Sequence, residues 1–137
     1  MEHKGKGLIN LREVEGVVSP HQGQIESAIR LRKDALEYVD DTTELAEFVG
    51  GKVESLGIGE DWAVSKEIFP GVVIFFIYNR GDEEIPGNFR VLYSGDRMRL
   101  LKGEDLASIT IPYINHILRY VREANPDKKL PEVCYRV

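Results

Sequence analysis

Residues Val72 to Tyr78, Val-Val-Ile-Phe-Phe-Ile-Tyr, form an unbroken apolar run. Successive side chains of an extended chain point to opposite faces, so a strand made of these residues has no side to offer to water. The run is too short to cross a bilayer as a helix, which takes about 20 residues. It predicts a central strand, paired on both edges and covered on both faces. Burying such side chains stabilises by roughly 1.5 to 3 kcal/mol each, before conformational entropy is subtracted. The fold is expected to be organised around it.

The neighbouring segments read as partners for this strand. Trp62, Val64 and Ile68 alternate with Ala63, Ser65 and Glu67, which predicts a strand running to Phe69. Pro70-Gly71 suits the centre of a type II turn. Beyond the acidic, turn-rich stretch Gly81 to Gly87, strands are expected over Asn88 to Ser94 and Arg97 to Lys102, joined at Gly95-Asp96. These make a four-stranded antiparallel meander.

Helices are announced on either side of that meander. Ser19 with Gln22 three residues on, and Pro20 between them, mark a helix start, followed by Ile25, Ala28, Ile29, Ala35, Leu36 and Val39 at helical spacing. Asp41 with Glu44 repeats the capping logic for a second helix through Leu45, Phe48 and Val49; Gly50-Gly51 either ends it or marks a close packing contact. The last helix is expected to have its body from Pro112 to Ala124, stopped by Asn125-Pro126, with Leu106 to Ile111 ahead of it a helical turn or an extended segment. The fold class is therefore α+β: an antiparallel sheet packed on one face by two N-terminal helices and a C-terminal helix. A strand over Leu8 to Val18 and an edge strand over Val133 to Val137 would bring the sheet to five or six strands. With the first of these present, the element order is similar to that of a shortened helix-grip ligand-binding fold, a likeness of order alone that carries no residues across. Residues 1–137 are expected to form one domain, with an ordered core over about 8–125 and a tail over 126–137.

Charge and composition narrow the function classes. The net charge of −5 gives no general attraction to phosphate backbones or anionic lipid, which disfavours nucleic acid as a partner, and no segment reads as a membrane span. Cys134 is the single cysteine, no Asn-x-Ser/Thr acceptor occurs and no signal peptide is evident, so a reducing, cytoplasmic location is expected. The two glutamines, Gln22 and Gln24, stand among many Glu, Lys and Arg, a bias seen in heat-adapted proteins.

The residues that carry chemistry do not converge in the sequence. His3, His21 and His116 lack paired ligand spacing, no local signature surrounds Cys134, and the carboxylate clusters fall at helix starts and turns where acidic groups cap and solubilise. Gly57-Ile58-Gly59 lacks the third glycine of a dinucleotide fingerprint and precedes a strand. No metal, cofactor or catalytic residue is predicted.

Two surfaces remain. Alternation in the last two expected strands puts Arg90, Arg97 and Arg99 with Leu92 and Leu101 on one face, and Phe89, Val91, Tyr93, Met98 and Leu100 on the other. The first set forms a basic sheet face suited to an acidic partner, an anionic ligand or a second copy of the chain; the plainer reading is arginines solvating an exposed sheet. The leading expectation is a non-enzymatic interaction or oligomerisation module acting with a protein partner or as a homodimer. The alternative is a small-molecule-binding domain, enzymatic or not, with an aromatic pocket among Trp62, Phe76 and Tyr113.

Overall fold

The apolar run lies mid-sheet. The computed structural model describes residues 7–137, apart from the side chain of Arg99. In chain order the elements are α1 (Arg12–Glu15), α2 (Pro20–Arg32), a 3-10 segment (Lys33–Tyr38), α3 (Thr42–Val49), β1 (Lys52–Glu54), β2 (Trp62–Phe69), β3 (Val72–Asn79), β4 (Asn88–Ser94), a 3-10 turn (Met98–Leu100), α4 (Gly103–Ala124) and a 3-10 turn (Glu132–Tyr135). The strands form one antiparallel sheet in the order β1-β2-β3-β4. β3 pairs with β2 on one side, where Val64 faces Phe76, and with β4 on the other, where Phe76 faces Val91.

The two faces of β3 are covered differently. Ile74, Phe76 and Tyr78 join Val64, Val91 and Tyr93 in the main core, against Ile25, Leu36, Leu45, Ile114 and Leu118 from the helices. Phe75 and Ile77 look the other way, into a smaller cluster with Ala63 and Leu56 that Leu8, Val73 and Leu92 flank. The fold class is α+β with a four-stranded sheet, as the sequence implies. Helix starts also fall as read: Ser19 Oγ accepts from the Gln22 amide (3.1 Å), and Asp41 Oδ1 from the Glu44 amide (3.0 Å).

The fourth strand, however, is β1 rather than Arg97 to Lys102. After β4 the chain turns at Gly95, whose φ of 122° is costly for other residues, and a Cβ there would lie 2.1 Å from the Gly71 carbonyl oxygen. The Arg97 amide donates to that same carbonyl (3.0 Å), so the exit of β4 is tied to the β2–β3 turn, and Met98 drops into the helix-side core at 2% exposure. A fully buried Met98 is incompatible with a solvated return strand. β1 instead forms because α3 ends with left-handed Gly50 and Gly51 approaches β2 closely, where a Cβ would lie 2.3 Å from the Ser65 carbonyl oxygen.

Two further expectations are corrected, and the choice left open ahead of Pro112 falls to helix. Leu8 to Val18 is not a strand: only Ile9 bridges to Tyr93, by reciprocal amide-to-carbonyl bonds of 2.8 and 2.7 Å, before Leu11 enters the core and α1 begins. The condition for the helix-grip element order is thereby absent. α4 starts at Gly103 and runs through Pro112; burial of Leu106, Ala107 and Thr110 offsets the missing backbone donor. Residues 133–137 add no strand: Cys134 is fully buried in a 3-10 turn against α4, where Arg122 Nη1 donates to its carbonyl (3.2 Å). Burial pushes the Cys134 thiol up, away from thiolate reactivity.

Replacing Gly95 with alanine is expected to lower stability by more than about 2 kcal/mol through backbone collision and strain. Gly23→Ala, in the interior of α2 with open space at its Cβ, should raise it by about 0.5–1 kcal/mol. Paired thermal or urea unfolding of the two variants checks both signs.

Candidate functional site

The two edges of the sheet are finished differently. β1 is three residues long and carries Lys52 and Glu54, a blunt edge that discourages further pairing. At the other edge, Ile9 occupies only the position beside Tyr93. Because Tyr93 spends its amide and carbonyl on Ile9, its backbone groups point away from β3, and in an antiparallel ladder every second residue does the same. Val91 and Phe89 therefore also turn their N–H and C=O groups outward, while Leu92 and Arg90 bond to β3.

Those outward groups open into a groove of about 380 Å³ between β4 and α2, lined by Asn10, Gln22, Glu26, Arg30 and Lys33 on one side and by residues 88 to 92 on the other. Gln22 explains why the edge stays open. Its Oε1 accepts from the Leu11 amide (2.9 Å), drawing into the interior the residue that would otherwise have paired with Val91. Its Nε2 donates to Glu26 Oε2 (3.0 Å), and Arg12 grips the same carboxylate with both guanidinium nitrogens (3.0 and 3.2 Å). Hydrogen bonding from Arg12, then Gln22, holds the Glu26 carboxyl below its usual range. The acidic member of the groove is thus matched by a cation, and Arg30, Lys33 and Arg90 leave the walls basic. Arg90 Nε is buried with no partner among the described residues.

A second cluster anchors α2, the helical wall of this groove. Ser19 Oγ donates to Glu15 Oε1, His21 Nδ1 lies 2.5 Å from Glu15 Oε2, and this carboxylate rests against Gly103 at the start of α4, where a Cβ would fall 2.1 Å from Oε2. Both neighbours point at the carboxylate, so Ser19 and His21 are not arranged as nucleophile and base. The Ser19 hydroxyl, with His21, holds the Glu15 carboxyl below its usual range despite its burial. Negative charge at the first turn of α4 also answers that helix's dipole.

The residues singled out from sequence are dispersed. Arg90 lines the groove, whereas Arg97 lies beyond β4 with its side chain against Gly71; Arg99 sits in the 3-10 turn, its side chain outside the described residues. The strand pair that would have gathered the three is not formed. Trp62 and Phe76 are packed in the core, each near Phe89 (ring centroids 6.4 and 6.3 Å), and Tyr113 packs on its margin from α4. Arg30, Lys33 and the open backbone of β4 escaped the sequence reading, because edge status depends on strand order and not on side-chain pattern. Among the described residues no three or more His, Cys, Asp or Glu side chains cluster to hold a metal ion, and no helix is long and apolar enough to cross a membrane.

Fold and groove together define an α+β protein whose antiparallel sheet has, among the described residues, one edge that is paired only at Tyr93 and otherwise open beside a helix. The chain belongs to the family described as Domain of unknown function (DUF3786), which it matches over residues 2–115, a span holding the whole sheet, α2 and the groove. No curated protein and no solved structure matches it.

Two outcomes follow. In hydrogen exchange of the free protein, the amides of Val91 and Phe89 exchange faster than those of Arg90 and Leu92, which are bonded to β3; equal protection would contradict the assigned edge. Glu15 contributes stability in full above the ordinary glutamate pKa of about 4.3, and loses it as pH falls through the lower folded value. Glu15→Gln is therefore less stable at neutral pH, and its melting temperature converges with that of the parent in acid.

Proposed function

We propose that the protein is a binding module that receives an extended, acidic segment of a partner protein along β4. The observation that supports this is the pair of outward-facing backbone positions, Val91 and Phe89, set in a groove whose walls carry Arg30, Lys33 and Arg90 while Glu26 is neutralised by Arg12. An added strand would bond to those backbone groups, and its carboxylates would meet the basic walls. Strand addition supplies affinity through the main chain and selectivity through side chains at alternate positions. Arg90 Nε, buried and unsatisfied, gains an acceptor. A second copy of the chain would use the same groups edge to edge, but two chains of net charge −5 repel at long range.

Selection of short random peptides on the full chain, followed by fluorescence anisotropy, tests this reading. Acidic peptides should be enriched, and their binding should weaken with salt. Val91→Pro removes an amide that faces the groove rather than β3, and is expected to weaken binding about tenfold or more with the sheet retained. Recovery of no acidic peptide, or full binding by the Val91→Pro variant, overturns the proposal. A concentration-dependent dimer in sedimentation would assign the edge to self-pairing instead.

A further inference from the structure

A second cleft, of about 640 Å³, opens between the 3-10 segment 33–38 and the loop that joins β3 to β4. Its floor includes Tyr78. The Tyr78 ring is locked in the core, 5.6 Å from the Trp62 ring and 3% exposed overall, so the phenol lines the cleft with its position fixed by packing. Its hydroxyl has no hydrogen-bond partner among the described residues, although it sits close to Gly87, where a Cβ would lie 3.2 Å away. The ring is buried, whereas the hydroxyl itself meets the cleft and is available to water or a ligand there. Burial, and after it the charge of Glu37, push the phenol above its usual range, so it stays a donor at neutral pH.

The lining carries both signs of charge. Asp34 and Glu37 belong to the 3-10 segment and Arg80 follows β3; Glu37, then Arg80, Asp61 and Asp34 act electrostatically on the Tyr78 hydroxyl. Neither carboxylate, nor the Arg80 guanidinium, has an ion-pair partner among the described residues. Further charged groups line or border the cleft: Lys33, whose Nζ donates to the Gly87 carbonyl (3.4 Å), Asp82, whose Oδ1 accepts from the amides of Glu84 and Ile85, and Lys128, which pairs with Asp40 (3.8 Å) over the Tyr38 ring. The cleft lining thus carries both signs of charge, and Asp34, Glu37 and Arg80 are the members without an ion-pair or hydrogen-bond partner for their charged ends among the described residues.

We infer that this cleft binds a small zwitterion of the α-amino-acid class, its ammonium toward Asp34 and Glu37 and its carboxylate toward Arg80 and the Tyr78 hydroxyl. A guanidinium and a phenol both donate, which suits a carboxylate; two acceptor-only carboxylates suit an ammonium. A ligand carrying one charge alone leaves either the free carboxylates or the free guanidinium unmatched. Lys33 lines both this cleft and the β4 groove, but Tyr78, Arg80, Asp34 and Glu37 line only the cleft, so substitutions at these four test it apart from the groove.

The test is titration of the ¹⁵N-labelled full chain with each standard L-amino acid, and then with the N-acetyl and carboxamide derivatives of any that binds. The expected result is saturable shifts of the Tyr78, Arg80 and Gly87 amides by at least one amino acid below about 10 mM. Removing either ligand charge should weaken binding about tenfold or more, as should Arg80→Gln, Glu37→Gln and Tyr78→Phe. The surface variants Arg80→Gln and Glu37→Gln keep the test valid should Tyr78→Phe disturb the core. The absence of saturable shifts from every amino acid, or equal binding by the derivatives lacking one charge, overturns the inference.

Discussion

Exclusion of water from both faces of β3 is the requirement that shapes the rest of the molecule. Ile74, Phe76 and Tyr78 need the helical layer; Phe75 and Ile77 need Leu56 and Ala63 on the other side. Both edges of β3 are taken by β2 and β4, so the unpaired backbone groups of the sheet are displaced outward to β1 and β4. The β1 edge is short and charged. The β4 edge is longer, carries buried side chains at Phe89, Val91 and Tyr93, and among the described residues is bridged by Ile9 alone.

That incomplete cover has a local cause. Leu11 is fully buried and its amide is held by Gln22, so the chain leaves the sheet immediately after Ile9. The burial that anchors the N-terminal segment to the helical layer is therefore also what leaves Val91 and Phe89 without strand partners. Dry burial of such groups costs about 1–3 kcal/mol each. A groove of 380 Å³ admits water to them, which removes most of that penalty. An incoming strand then exchanges water for backbone bonds of comparable strength, so net affinity must come from the side chains along the walls.

Much of the fold was legible because it is written in local periodicity. The alternation through Trp62–Phe69 and Asn88–Ser94, the unbroken apolar run between them, and the caps at Ser19 and Asp41 each correspond to an element of the structure. Arg97 to Lys102 misled because Met98 and Leu100 alternate as strand residues do, whereas their fates are tertiary: Met98 is buried, and Leu100 is 77% exposed. Local pattern leaves residues 106–111 open between a helical turn and an extended segment ahead of Pro112; they join α4 because Thr110 and its neighbours pack beneath β4, Thr110 hydroxyl to Tyr93 hydroxyl at 2.7 Å. The candidate sites were harder to read. Tyr78 is hidden at the end of the greasiest run in the chain, where a phenol reads as one more apolar group, and an open edge is a property of strand order that no residue pattern encodes.

Net charge is a guide to sites only at long range. The chain carries −5 overall, which argues against anionic partners in general. At physiological ionic strength the screening length is about 8 Å, so a segment lying in the β4 groove is governed by the groups that line it. There the Arg12–Glu26 pair removes the acidic contribution and leaves three cations. In the neighbouring cleft, Asp34, Glu37 and Arg80 line one space and form no ion pair with a described residue. Lys33, which lines both and bonds to the Gly87 carbonyl, stands at the boundary between the two charge patterns. A small acidic protein thus presents one basic and one mixed-charge surface side by side, because ion pairing within its own chain decides which charges remain available.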